Sequence, residues 1–177
     1  MDGVTSYIYV ITDNYSRAIL YAQAFLERRA SLVIQAFEVV FQKYYPDEPH
    51  AVTILSDDGS ENTLLHTLQA KNIAIKYLIA QKDIPQSNSM VEASHKSLKY
   101  RGLYLEEVAN HIALQPLLDK AVADHSQRPH HVLGGMSPIQ VLTGVPYESI
   151  FPKVDDTAQR QERIKSNKQM MCCKQKA

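Results

Sequence analysis

Apolar residues follow two rhythms along this chain. Tyr7-Ile8-Tyr9-Val10-Ile11 and Ala18-Ile19-Leu20-Tyr21-Ala22-Gln23-Ala24 are β-prone runs separated by the turn-like Asp13-Asn14-Tyr15-Ser16-Arg17, which predicts a hairpin. Leu32, Val33, Ala36, Phe37, Val40, Phe41 and Tyr44 then recur at helical spacing, so an amphipathic helix is expected, stopped by Pro46. Val52-Thr53-Ile54-Leu55 opens into Ser56-Asp57-Asp58-Gly59-Ser60, as a buried strand does when it delivers polar residues to a turn. A helix from about Glu61 to Lys71, a strand from Ile73 to Ile79 and a polar loop from Ala80 to Asn88 should follow. From Ser89 the pattern is helical to about Leu103. Val108, Ile112, Leu117, Leu118, Ala121 and Val122 predict a further helix, interrupted or begun near Pro116 and running to about Asp124. A short helical piece after Ser137-Pro138 and a polar tail complete the chain. Strands alternating with helices define an α/β protein.

With 177 residues, 45% of them hydrophobic, the chain can bury a core as one folded unit. We read residues 1–145 as that unit and 146–177 as a polar, basic tail. Lys+Arg and Asp+Glu both number 19, so any nucleic-acid contact has to come from local clusters. From Ala158 onward Arg160, Arg163, Lys165, Lys168, Lys174 and Lys176 face a single acid, Glu162; this reads as a solvated end or as a non-specific phosphate contact. No apolar run approaches the roughly 18–20 residues of a membrane span, and the start carries no leader pattern. Cys172 and Cys173 are adjacent, which suits neither a mutual bridge nor a zinc site without partners. The expectation is a soluble protein of a reducing cytosol.

The candidate chemistry rests on Asp57 and Glu92, 92 − 57 = 35 positions apart. A strand end and the first turns of a helix can bring two carboxylates over one sheet edge, where hard oxygen donors suit Mg²⁺. Plainer readings stand beside this one. Ser89-Met90-Val91-Glu92 has the spacing of a capping box, and Asp57-Asp58-Gly59-Ser60 that of a simple turn.

Four segments carry a family resemblance. Ser56-Asp57-Asp58-Gly59-Ser60-Glu61-Asn62 resembles the S-D-N-G-S-E-x stretch of retroviral-type integrases and bacterial insertion-sequence transposases, with Asp58 in place of the usual Asn. The run from Pro85 through Gln86-Ser87-Asn88 and Val91-Glu92 to Leu98-Lys99 resembles their P-x-S-N-x-x-V/I-E…x-L-K pattern. Arg128-Pro129-His130 with Leu133-Gly134-Gly135-Met136-Ser137-Pro138 resembles N-x-x-R-P-H…L-G-G-x-T-P, although Ser126 stands where Asn is usual. Tyr9-Val10-Ile11-Thr12-Asp13, with Ser16-Arg17, resembles the second strand of that core.

The resemblance implies an RNase H-like fold, a mixed sheet in the order 3-2-1-4-5 flanked by helices. Asp57 would end the fourth strand and Glu92 would lie on the following helix, both as catalytic ligands of Mg²⁺ or Mn²⁺. Lys96 and Lys99, four and seven positions after Glu92, would share its helix face and hold DNA phosphates, or else form a solvated face. His95, three positions after Glu92, reads first as a surface histidine and otherwise as a group that reaches the substrate. In the family the first acidic ligand lies on the first strand; Asp2-Gly3 matches the turn after that strand, and Asp13 matches a second-strand residue that is not a ligand. The expectation is therefore an RNase H-like α/β core whose first, central strand is missing. Such a core is expected to expose two rows of backbone groups, to be unstable alone, to aggregate or to need the missing strand from another polypeptide, and to bind metal weakly.

The implied function is that of a DDE transposase or integrase fragment for metal-dependent DNA strand transfer, inactive alone, in a bacterial cytosol or nucleoid. The alternative is a non-catalytic remnant that binds DNA or a transposase and acts as an inhibitor. Expected partners are DNA, a full-length transposase or a separate N-terminal fragment, and an oligomer is open. An unrelated α/β protein with coincident motifs is a third reading.

Overall fold

The hairpin forms where the β-prone runs place it. The computed structural model of the chain describes residues 4–46, 51–71, 74–80 and 89–147, with 161, 162 and 165 in the tail. Strand β1 (Tyr7–Thr12) pairs antiparallel with β2 (Ile19–Phe25). Their turn is organised by Asp13, whose carboxylate accepts from the Ser16 amide at 2.7 Å and the Ser16 hydroxyl at 2.5 Å. Arg17 completes it in the left-handed region at φ 63°, at the end of a four-residue loop in which its amide donates to the Asp13 carbonyl at 2.9 Å.

Helix α1 (Ala30–Tyr44) buries Val33, Ala36, Phe37 and Val40, the stripe read from the sequence. Each fully buried Val or Phe of this kind contributes about 1.5–3 kcal/mol. Strand β3 (Val52–Ser56) pairs parallel with β4 (Ile75–Ile79), through a connection that contains α2 (Leu65–Lys71). The helix expected from Glu61 starts later. A 3-10 turn at Ser60–Asn62 comes first, because Asn62 turns inward and is buried there.

Helix α3 (Ser89–Arg101) stops two residues earlier than expected. Gly102 ends it, and a Cβ at Gly102 would lie 2.4 Å from Ala121 Cβ and 2.9 Å from the Leu98 carbonyl. Only glycine lets the chain pass so close to α4 (His111–Gln127). Helix α4 starts earlier and runs longer than the sequence pattern suggested, with Pro116 inside it. Its Asn110 cap accepts from the Ala113 amide at 2.9 Å, so the helix nucleates ahead of the proline. Ile112 belongs to no core and is 83% exposed, which corrects its placement on the buried face. Helix α5 (Pro138–Leu142) opens with a capping box between Ser137 and Gln140, with Pro138 at its first turn.

The four strands form two separate pairs, β1 with β2 and β3 with β4. Among the described residues no strand lies between β1 and β3. Two apolar clusters sandwich this divided layer. Val33 and Phe37 of α1 pack with Ile54, Leu65, Leu68 and Ile75, and Tyr9 and Ile11 of β1 join them. On the other face Val10, Ile19 and Ala24 pack with Leu98, Leu103, Leu114 and Leu118 from α3, the following turn and α4. Among the described residues, no helix is long and apolar enough to cross a membrane. The expected loop at 81–88, the Asp2-Gly3 turn, both cysteines and the tail's other basic residues lie outside the described residues.

Candidate functional site

Asp57 follows the last residue of β3, so its position is set by the parallel pairing beneath it. Its Oδ1 accepts from the Gly59 amide at 3.2 Å and from Asn62 Nδ2 at 2.7 Å. Asn62 is itself fixed from the other side, where the Tyr9 hydroxyl donates to its Oδ1 at 3.3 Å. Burial, then the charges of Glu61 and Asp57, push the Tyr9 phenol well above its ordinary range, so it stays a neutral donor. Gly59 is required by close approach: a Cβ there would lie 2.9 Å from the Glu61 carboxyl group and 3.1 Å from Asp57 Oδ1.

Glu92 lies in the first turn of α3 and is exposed. The helix is docked by Ser94, which is buried: the Thr12 hydroxyl donates to Ser94 Oγ at 3.2 Å, and Ser94 donates to the Met90 carbonyl at 3.1 Å. Leu98 enters the core one turn later. At the far end His125 of α4 bridges Ser97 Oγ, 3.2 Å from its Nδ1, and the Arg17 carbonyl, 2.9 Å from its Nε2.

Asp57 and Glu92 both act to raise the pKa of His95. Burial is the larger influence, followed by Lys99, and together they hold His95 below its ordinary value. His95 is half-buried and lines a cavity, which corrects its reading as a surface histidine. The cavity exists only because β1 and α1 fold against α3. Lys96 and Lys99 are exposed on the same helix as Glu92.

The donor set can be tested for a metal ion. Asp57 and Glu92 offer hard oxygen donors, and Mg²⁺ is commonly held by one or two carboxylates with water and phosphate completing its shell. The chemistry of these donors suits such an ion. Among the described residues, no three His, Cys, Asp or Glu side chains gather closely enough to hold a metal together. Asp13, committed to its turn, adds nothing to this site. The sequence reading missed Asn62 and Tyr9. Both stand inside quoted motifs, but their joint hold on Asp57 becomes visible only when β1 lies beside the segment after β3.

Helices flanking a mixed set of strands in this connection define an RNase H-like α/β fold of the integrase catalytic-core type. The chain is similar to the catalytic core domain of BIV integrase, with TM-score 0.58 and 22% identity, over 78% of this chain and 86% of that one. It is similar to the HTLV-2 integrase catalytic core domain, solved in complex with magnesium, with TM-score 0.53 and 17% identity over 78% and 90% of the two chains. It also matches a chain of the simian T-cell lymphotropic virus intasome, solved in complex with PP2A regulatory subunit B56 gamma. There the TM-score is 0.60 and the identity 17%, over 82% of this chain and 52% of that one. No protein-family model matches the chain, and no curated protein matches its sequence.

Proposed function

We propose that this chain carries part of a DDE-type polynucleotidyl transferase site, of the kind shared by integrases and insertion-sequence transposases, acting on DNA. The proposal is supported by where its two carboxylates stand: Asp57 directly follows β3, and Glu92 lies in the first turn of α3. The integrase-like fold supports it. Asp57 and Glu92 would hold Mg²⁺ or Mn²⁺, which when bound neutralises phosphate charge and activates an attacking oxygen. Asn62 and Gly59 orient Asp57 through hydrogen bonds, leaving its second oxygen for the ion. Lys96 and Lys99 would hold the DNA backbone beside the carboxylates.

Two ions about 3.5–4 Å apart need more ligands than two carboxylates supply. Asp57 and Glu92 alone supply too few donors for such a pair of ions, which motivates a second reading of this same chain. It would bind DNA or a full-length transposase without turnover and act as an inhibitor by mixed assembly.

The deciding experiment is a Mn²⁺ titration of the chain and its Asp57→Ala and Glu92→Ala variants, run beside a strand-transfer assay. Weak Mn²⁺ binding lost in either variant, without turnover by the parent, is expected. Equal Mn²⁺ binding by all three proteins would remove the metal site. Turnover that vanishes in Asp57→Ala would replace the inhibitor reading by an enzyme. Retention on DNA, or capture by a full-length transposase, tests the binding role separately.

A further inference from the structure

Two of the quoted motif segments take no part in the site at Asp57 and Glu92, yet they meet in space. Arg17, from the Ser16-Arg17 pair of the hairpin turn, offers its carbonyl to His125 Nε2 at 2.9 Å, and His125 stands three positions before Arg128-Pro129-His130. Helix α3 joins them: Met90 Sδ lies 2.8 Å from Arg17 Nη1, and Ser97 Oγ lies 3.2 Å from His125 Nδ1. Met90, Ser94, Ser97 and Arg101 recur at spacings of four, three and four, so Arg101 extends the same helix face. Glu92, Lys96 and Lys99 occupy the opposite one.

The charge at this junction is one-sided. Arg17 is half-buried and its side-chain acceptors are neutral, Asn14 Oδ1 at 2.8 Å and the Met90 thioether. Its Nε is buried without a partner, and among the described residues no carboxylate forms an ion pair with it. A cation held in this way is costly until an anion completes it. The acids nearest in sequence are committed elsewhere: Asp13 accepts from Ser16, and Asp124 pairs with Arg128. Arg101 is exposed and makes no ion pair among the described residues. His130 Nδ1 accepts from the Val132 amide at 3.2 Å, which puts the ring proton on Nε2, a donor without a partner among the described residues. Burial first, then His125, Arg17, His131 and Arg101, hold His130 below its ordinary value, and all four neighbours are cationic.

We infer that Arg17, Arg101 and His130 form a binding site for a phosphate group. The three side chains come from the hairpin turn, the last turn of α3 and the segment after α4, so the site exists only in the folded chain. A guanidinium presents a fork of N–H donors that matches phosphate oxygens, and the His130 Nε2–H adds a neutral donor. Two guanidinium groups and an imidazole N–H offer more charge and more donors than one carboxylate uses, which selects the phosphate. Its bearer is a nucleic-acid backbone or a free phosphate, and the same chemistry recognises both. The inference does not depend on the metal reading, because Glu92 lies on the other face of α3 and the test contains no metal.

The probe is inorganic phosphate, titrated near neutral pH and at constant ionic strength into the full 177-residue chain, with acetate as the control. Magnetic resonance follows the Arg17 Nε–H and the His130 ring, and saturable movement of both with phosphate but not with acetate is expected. His130→Asn keeps an acceptor for the Val132 amide while removing the Nε2–H, and Arg101→Ala removes an exposed charge that no described group pairs. Each should weaken phosphate binding by about fivefold or more. If His130→Asn does not fold, Arg101→Ala decides. A second arm uses a short DNA duplex without metal, in a Lys96→Ala, Lys99→Ala background. Affinity lost on adding Arg101→Ala assigns the site to a nucleic-acid backbone; unchanged DNA affinity beside weakened phosphate binding assigns it to a free phosphate. Phosphate and acetate acting alike, signals of Arg17 and His130 that stay unmoved, or phosphate affinity unchanged in the variants overturns the inference.

Discussion

Asn62 holds Asp57 by a 2.7 Å hydrogen bond from its side-chain amide, and Tyr9 holds Asn62 in turn. The amide thus links a strand end to a neighbouring strand that is not paired with it. Replacing Asn62 by Ala removes both bonds at a buried position and leaves the Tyr9 hydroxyl without its acceptor. The expected loss is about 1–3 kcal/mol, read from the urea midpoint. Any Mn²⁺ affinity that requires Asp57 should fall by about tenfold in the same variant. A variant as stable as the parent would show that the clamp contributes nothing.

Gly102 gives a sharper steric test. An added methyl group meets Ala121 Cβ at 2.4 Å and a backbone oxygen at 2.9 Å, neither of which can swing away. Gly102→Ala should cost about 1–3 kcal/mol by pushing α3 from α4. Gly135 also has positive φ, but a Cβ there meets nothing within 4 Å. Alanine at Gly135 should therefore show backbone strain alone, about 1–2 kcal/mol. Thermal unfolding of the two variants compares these causes directly.

Acid should weaken the fold through His95. Burial and then Lys99 lower its pKa below the ordinary 6.5, against the opposing pull of Asp57 and Glu92. The unfolded chain then binds the proton more readily, so stability rises with pH through this window. The contribution is complete above the unfolded value and is lost as pH falls from 6.5 through the lower folded pKa. His130, also lowered by burial first and then by neighbouring cationic groups, acts in the same direction. Between about pH 7.5 and about pH 5 the parent should lose more stability than His95→Gln, by urea titration at each pH. Parallel pH profiles would contradict this.

Lys96 and Lys99 are exposed on α3, where a structural role would cost little to remove. The double alanine variant should change stability by no more than about 0.5 kcal/mol. If both lysines hold phosphates, log affinity for duplex DNA should fall less steeply with log salt, by about two in slope, whatever the DNA sequence. An unchanged slope would assign them to a solvated face.

Much of the architecture was legible because local patterns and tertiary burial agree. The α1 stripe of Val33, Ala36, Phe37 and Val40, the strand delivering Asp57 to a turn, and the Ser137-Pro138 helix start all depend on neighbours in sequence. Ile112 misled because its helical spacing is right while its face is solvated, and nothing within one helix tells which side a neighbour will cover. The start of α2 was misplaced for a related reason: Asn62 finds its partners on β1 and at Asp57, so the chain makes an extra turn before the helix.

The amino-acid order alone determined the α/β class and the hairpin of β1 and β2, since these follow from periodicity and turn chemistry, while Asp57 and Glu92 entered as candidates through motif resemblance. Tertiary structure decided the surroundings of His95, the clamp of Tyr9 and Asn62 on Asp57, and the division of the described strands into two separate pairs. Each of these depends on groups more than 30 positions apart meeting at a few ångströms, as Tyr9 and Asn62 do with |i−j| of 53. Such meetings are set by how helices cover both faces of a divided sheet, which no window along the chain contains.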